Sequence, residues 1–335
     1  MKWLVLGGTK FLGRTFVEEA LAAGHEVTLF NRGKTEPDLF PDVEKIVGDR
    51  TNPEDLAKLA GRRWDAVFDP SGCVPRVVRM SAEQLKDAVD FYVFVSTISV
   101  YKDHSTAGAD ESYPVATIED ETTEEVTGES YGPLKVLSEN AVEEVFPGRA
   151  LHVRAGLIIG AYDPTDRFTY WPARIQKGGE FLAPLGPDQL MQFIDARDIV
   201  QWVLRMTEAR KGGIYNVTGD PKPLGEIFDT VKSVTGSNAT PAYVDEKFLE
   251  EHEVQPWQEL TMWIPASNEA FSHMNETGVE KAKREGLTFR PLADTVRELL
   301  AWHNQRDLST PPSYGLPAEK EQKVLEAWHA RESAR

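Results

Sequence analysis

Tyr131 and Lys135 stand four residues apart in Tyr131-Gly132-Pro133-Leu134-Lys135, and Thr97 closes an apolar run, Tyr92–Ser96, 34 residues upstream of the tyrosine. On a helix, a spacing of four puts the phenol and the ammonium on one face. An ammonium close to a phenol favours the phenolate and draws its pKa down from an ordinary value of about 10. Such a tyrosine can exchange a proton with a substrate oxygen that a strand-end hydroxyl at Thr97 holds in place. Proton exchange of this kind complements hydride exchange at the adjoining carbon. Tyr243 and Lys247 have the same spacing with no strand-end hydroxyl leading into them, so context, not spacing, singles out the first pair.

That context starts at the N-terminus, where the apolar run Trp3-Leu4-Val5-Leu6 leads into Gly7-Gly8-Thr9-Lys10-Phe11-Leu12-Gly13 and then into an amphipathic stretch ending at Ala23. This reads as the strand, turn and helix of a nucleotide-binding βαβ unit. Glycines let the chain reverse tightly and let a pyrophosphate approach the helix N-terminus. Taken alone, a Gly-rich turn is a short motif that also occurs without a ligand.

The elements that must position these residues follow from the pattern of apolar runs. Strands are expected at Lys2–Leu6, Glu26–Asn31, Lys45–Val47, Ala66–Asp69, Tyr92–Ser96 and Leu151–Ala155, with helices over Leu12–Ala23, Pro53–Leu59, Val74–Ala88 and Tyr131–Val145. Ser130 is placed to cap the last of these, and Pro133 suits its first turn. The alternation predicts an α/β, doubly wound parallel sheet, which binds ligands at the C-terminal edge of its strands. Tyr162 to Pro187 reads as loops capping a site, with Phe168, Tyr170 and Trp171 as packing or a platform for a flat ring. Ile199–Met206 and Ile214–Val217 read as a return to the sheet. Leu224–Val234, Val279–Arg284, Thr295–Trp302 and Ala318–Ala330 read as helices of a smaller lobe.

With 335 residues, 41% of them hydrophobic, the chain can bury a core and a second lobe. Its net charge of −17 opposes binding to nucleic acid or anionic membranes in bulk. Cys73 is the only cysteine, which excludes an intrachain disulfide or a thiolate cluster and suits a reducing compartment. No run approaches ~18 uncharged apolar residues, and the chain opens on a strand rather than a leader, so a cytoplasmic location is expected. The histidines show no paired-ligand spacing, so no metal is expected. Glu119–Glu129 is an acidic, solvated run that could overhang the site.

Together, the Gly loop and the Thr97, Tyr131 and Lys135 set resemble the short-chain dehydrogenase/reductase superfamily in its extended, NAD-dependent epimerase/dehydratase-like branch. Further likeness lies in Gly48-Asp49-Arg50, Arg154-Ala155-Gly156-Leu157-Ile158-Ile159-Gly160, Gln192 to Asp198 and Tyr215-Asn216-Val217-Thr218-Gly219. The resemblance implies a Rossmann domain over 1–160 and about 193–219, and a substrate-binding lobe over about 161–192 and 220–335. It implies Thr97, Tyr131 and Lys135 as catalytic residues, with Asp49 at the adenine and Lys135 also on the nicotinamide ribose. It further implies a homodimer through the Tyr131 helix and its neighbour. The Gly-Gly-x-x-x-x-Gly pattern, with Lys10 where extended members carry a third glycine, resembles an atypical subgroup. Ser81-Ala82-Glu83-Gln84 stands where an active-site Asn is usual.

The second strand ends in Asn31-Arg32 rather than in a carboxylate that would accept from a ribose and repel a 2′-phosphate. Arg32, with Lys10 and Lys34, therefore points to NADP, with NAD as the alternative. Ile98-Ser99 replaces the Asp-Glu of 4,6-dehydratases. The Asn near Leu157 and the Arg near Met191 with which nucleotide-sugar epimerases grip a diphosphate are absent, whereas Arg167, Arg174 and Lys177 could hold an anion. The expected function is an oxidoreductase or epimerase acting on a small hydroxyl- or carbonyl-bearing substrate, such as a sugar derivative. The alternative is a cofactor-responsive RNA-binding or regulatory protein on the same fold.

Overall fold

Apolar runs covered on both faces build a parallel sheet here. The structure, a computed structural model, describes residues 1–307 and 314–334. The chain runs through β1 (Lys2–Leu6), α1 (Phe11–Ala22), β2 (Glu26–Asn31), β3 (Glu44–Val47), α2 (Pro53–Leu56) and β4 (Trp64–Asp69). Next come α3 (Pro75–Leu85), β5 (Val89–Thr97), α4 (Tyr131–Val145) and β6 (Ala150–Ala155). It continues with β7 (Leu157–Ile159), α5 (Tyr170–Gln176), β8 (Glu180–Pro184), β9 (Leu190–Met191), β10 (Phe193–Asp195), α6 (Ala196–Glu208) and β11 (Gly213–Val217).

Seven strands form one sheet in the order β11-β6-β5-β4-β1-β2-β3, every pair parallel. The order reverses between β1 and β4, and a crevice opens at such a switch point outside the carboxyl ends of the strands. Helices α1 and α6 cover one face, where Phe16 stacks on Phe68 at 3.9 Å and meets Trp3 edge-on at 4.8 Å. Helices α3 and α4 cover the other, over Leu4, Tyr92, Phe94 and Phe146.

A second core gathers α5, β8, α7 (Leu224–Thr235), the strand Thr240–Val244 and the helix Leu292–His303 around Phe181, Phe228, Trp171 and Trp263. Two expectations are corrected at its edge. The stretch Tyr162 to Pro187 is not all loop, because Trp171 and Phe168 are fully buried and α5 and β8 are made from it. Ile199–Met206 is not a strand but the middle of α6, capped by Asp195 accepting from the Arg197 N–H. Its apolar residues fall at helical spacing and bury Ile199, Trp202, Val203 and Met206 against the sheet. Only Gly213–Val217 rejoins the sheet. The helix expected at Ala318–Ala330 spans Ala318–Ser333 and buries Glu321 as the partner of Arg174.

Candidate active site

The turn between β1 and α1 is shaped by its glycines. Gly8 has φ +94°, and a Cβ there would sit 2.6 Å from Leu29 Cδ2, so only glycine lets the loop lie down on β2. A Cβ on Gly7 would meet nothing within 4 Å and would project into open space. Helix α1 begins with no side chain capping its first N–H groups. An uncapped helix N-terminus beside a bare backbone suits a phosphate group.

The loop forms one wall of a cleft of about 620 Å³ at the strand-order switch point. Every site residue expected from the sequence borders it: Gly7 to Gly13, Asn31, Arg32, Asp49, Thr97, Tyr131 and Lys135. The residues present therefore fit a dinucleotide.

Tyr131 opens α4 and lies against the turn after β5 because Gly132 carries no side chain. A Cβ on Gly132 would fall 2.0 Å from the Ser99 carbonyl oxygen. Tyr131 keeps 36% of its surface exposed toward the cleft. Burial pushes its phenol above the ordinary value and Cys73 adds to that, while a hydrogen bond with Thr97 and the charge of Arg167 act the other way. The Thr97 hydroxyl also accepts from the Ser99 N–H at 3.1 Å.

One expectation fails here, that of a Ser130 cap, and the Lys135 ammonium is engaged by backbone carbonyls. It turns inward, donates to the Gly72 and Val95 carbonyls at 2.6 Å each, and lies 4.2 Å from the Phe94 ring centre. Burial pulls its own pKa down to about 8, against Asp69, Cys73 and Glu139. Ser130 does not cap α4. Its hydroxyl donates to the Glu125 carbonyl and accepts from the Thr127 N–H, which pins the preceding loop.

Beneath the cleft lies a cluster that sequence reasoning missed. Asp69, fully buried at the end of β4, accepts both arms of Arg50 at 2.7 Å, the Tyr92 hydroxyl at 2.8 Å and the N–H groups of Ser71 and Gly72. Gly72 is also the residue whose carbonyl Lys135 holds. One ion pair thus fixes the loop after β4, which borders the cleft through Pro70 and Ser71. The available signal was an acidic residue followed by Pro-Ser-Gly at a strand end.

The remaining expected residues divide. Asn31 bridges the Gly7 carbonyl and the Gly33 N–H, so its amide serves the loop. The Asp49 carboxylate accepts from the Thr51 N–H and hydroxyl, which hold it below the ordinary range. Arg32 and Lys34 are exposed at the rim. Within the acidic run, Glu124 is ion-paired with Arg76 of α3, and no residue of the run lines the cleft.

The model of the NAD dependent epimerase/dehydratase family matches residues 3–218. Among solved structures, the UDP-glucose 4-epimerase of Thermotoga maritima with UDP-glucose is similar at TM-score 0.66 and 15% identity, covering 91% of this chain and 99% of that one. The Bordetella bronchiseptica enzyme WbmG in complex with NAD and UDP is similar at TM-score 0.68 and 18% identity, covering 90% and 94%. These likenesses concern the fold. Among curated proteins, the chloroplast stem-loop binding protein of 41 kDa b of Arabidopsis thaliana is 28% identical over 114 residues, 30% of this chain and 30% of its own length.

Proposed function

The chain belongs to the NAD dependent epimerase/dehydratase family, and on that premise we propose that it exchanges a hydride between a nicotinamide dinucleotide and a small hydroxyl- or carbonyl-bearing substrate, with Tyr131 as the acid and base. The observation that carries this reading is the placing of Thr97, Tyr131 and the uncapped Gly loop around one cleft at the sheet's switch point. The loop Gly7 to Gly13 and the N-terminus of α1 would hold the pyrophosphate, and Asp49 and Arg32 the adenosine end. When bound, the nicotinamide ring supplies or takes the hydride.

Thr97 holds the substrate oxygen, and Tyr131 gives its proton to that oxygen in reduction or takes one from it in oxidation. Because burial keeps the phenol protonated at neutral pH, Tyr131 is poised as a donor. Lys135 acts by clamping the Gly72 and Val95 carbonyls. The second core supplies the substrate-binding wall, and two copies pair through α3 and α4.

The exposed Arg32 guanidinium favours a 2′-phosphate, so NADP is the proposed cofactor over NAD. Arg32→Ala is expected to weaken NADP binding by about tenfold, or 1.4 kcal/mol, and to leave NAD affinity nearly unchanged. Calorimetric titration reads both; equal losses for the two dinucleotides would refute the assignment of Arg32 to the 2′-phosphate.

The RNA-binding alternative draws on the likeness to the stem-loop binding protein. The net charge of −17 opposes it.

A further inference from the structure

Behind the turn that follows β5 lies a buried row of four polar side chains that the proposed reaction does not use. Arg154 on β6 and Glu139 on α4 pair through two bonds, Nε to Oε1 at 3.0 Å and Nη2 to Oε2 at 2.8 Å, and each side chain is 5% exposed. The remaining arm of Arg154 donates to the Tyr101 hydroxyl at 3.3 Å. That hydroxyl donates in turn to Asn216 Oδ1 at 2.5 Å, and both of these residues are buried as well.

The direction of each bond follows from the groups. A guanidinium only donates, so the Tyr101 oxygen accepts from it and has one proton left to give. Asn216 has its amide N–H groups on the Gly278 and Ala109 carbonyls, at 3.0 and 3.4 Å, which leaves Oδ1 facing the phenol.

The row sits against the two groups proposed to handle the substrate oxygen. Strand register sets Ser96, Arg154 and Asn216 level across β5, β6 and β11, one residue short of Thr97 and Ala155 at the cleft. Tyr101 ends the turn that begins at Thr97. On α4, Glu139 follows Tyr131 and Lys135 at the same spacing of four, on one face of the helix. Between these anchors, turn and helix are in close contact at Gly132 and the Ser99 carbonyl. Arg154 therefore ties both to one point of β6, with Glu139 on the Tyr131 side and Tyr101 on the Thr97 side.

A buried ion pair is a poor source of stability, because desolvation offsets the attraction and apolar residues of like volume often do as well. What the planar fork adds is fixed geometry. With it in place, α4 cannot slide along the sheet, nor the turn lift from it, without stranding a buried charge.

We infer that Arg154 is a positioning residue, which through Glu139 and Tyr101 sets Tyr131 and Thr97 against each other. Arg154, Glu139 and Tyr101 do not border the cleft, so they act through the two residues that do. This rests on the proposed reaction at Tyr131 and adds three side chains to the support of that site.

The test reads the Tyr131 phenol itself. Tyrosinate absorbance is followed after rapid pH jumps of the full chain, and the same protein carrying Tyr131→Phe is subtracted so that only Tyr131 remains. The bond with Thr97 draws the phenol down, so a displaced turn lets it rise. Tyr101→Phe removes one oxygen and cuts the link between Arg154 and the turn. It is expected to raise the titration of Tyr131 by at least about half a pH unit, or threefold in the ionisation equilibrium. Thr97→Ala should do the same, and Tyr101→Phe added to Thr97→Ala should shift it no further, because two changes acting through one bond are not additive. Should Tyr101→Phe not fold, Arg154→Lys keeps a charge beside Glu139 but cannot serve Tyr101 as well, and the same shift and the same non-additivity are expected. An unmoved titration in a variant that unfolds at lower temperature, or a shift of equal size with and without Thr97, would reduce the row to structural support and overturn the inference. None of these readings needs turnover. Wild-type turnover in Tyr131→Phe would refute the reaction, while the titrations judge the positioning separately.

Discussion

Turnover of Tyr131→Phe is expected to fall by roughly 10²–10⁴-fold, the range that a lost general acid or base commands, while dinucleotide affinity stays within about twofold. The substitution removes one oxygen. The ring remains against the Gly132 turn, and the Gly loop is untouched. Burial holds the phenol above its ordinary pKa, which fixes the sign of the pH dependence. Reduction needs the protonated phenol and should hold steady across neutral pH, then fall on the alkaline side. Oxidation needs the phenolate and should rise with pH over the same range. Nicotinamide absorbance in both directions reads this, and a Tyr131→Phe protein with wild-type turnover would remove Tyr131 from the chemistry.

Asp69→Ala is expected to cost about 3–5 kcal/mol of stability, because it strands the Arg50 guanidinium in the interior. It also frees the Ser71 and Gly72 N–H groups. Dinucleotide binding should therefore weaken even in molecules that remain folded. The pH dependence follows from the same pair. Burial by itself pushes the Asp69 carboxyl up, but the charge and hydrogen bonds of Arg50, with the Tyr92 hydroxyl, outweigh it and leave the group below its ordinary 3.8. A carboxyl whose pKa is lower in the folded state stabilises fully above its unfolded value and loses that contribution as pH falls through the folded one. Urea unfolding should show wild-type stability declining below about pH 4. Asp69→Ala, already lacking the contribution, should decline less. A loss under 1 kcal/mol would mean that Arg50 finds other partners.

What was legible in the residues was whatever depends on near neighbours. The Gly loop declared its turn because Gly8 must adopt a positive φ against Leu29, and β1, β2 and β4 to β6 are runs long enough to read. Tyr131 and Thr97 could be paired because strand ends and helix starts meet at a sheet edge. The direction of Lys135 could not be read. A spacing of four fixes the face, but not the end of a long stem, whose ammonium donates to carbonyls 63 and 40 residues away. The Asp69–Arg50 pair joins residues 19 apart and exists only once β1 to β4 are assembled. Ile199–Met206 misled because a helix buried against a sheet is apolar enough to pass for a strand. Its surrounding signals, Asp195 ahead and Arg205 near its end, favour the helix.

The central claim is that the cleft at the switch point is a working dinucleotide site, and its most direct test is calorimetric titration of the cofactor-free protein with NADP and NAD beside Gly8→Val. One equivalent of dinucleotide, NADP the tighter, should bind the wild type. Gly8→Val, with its side chain forced against Leu29, should bind neither. Absence of binding of both dinucleotides to the folded wild type would contradict the account and leave the cleft without its cofactor.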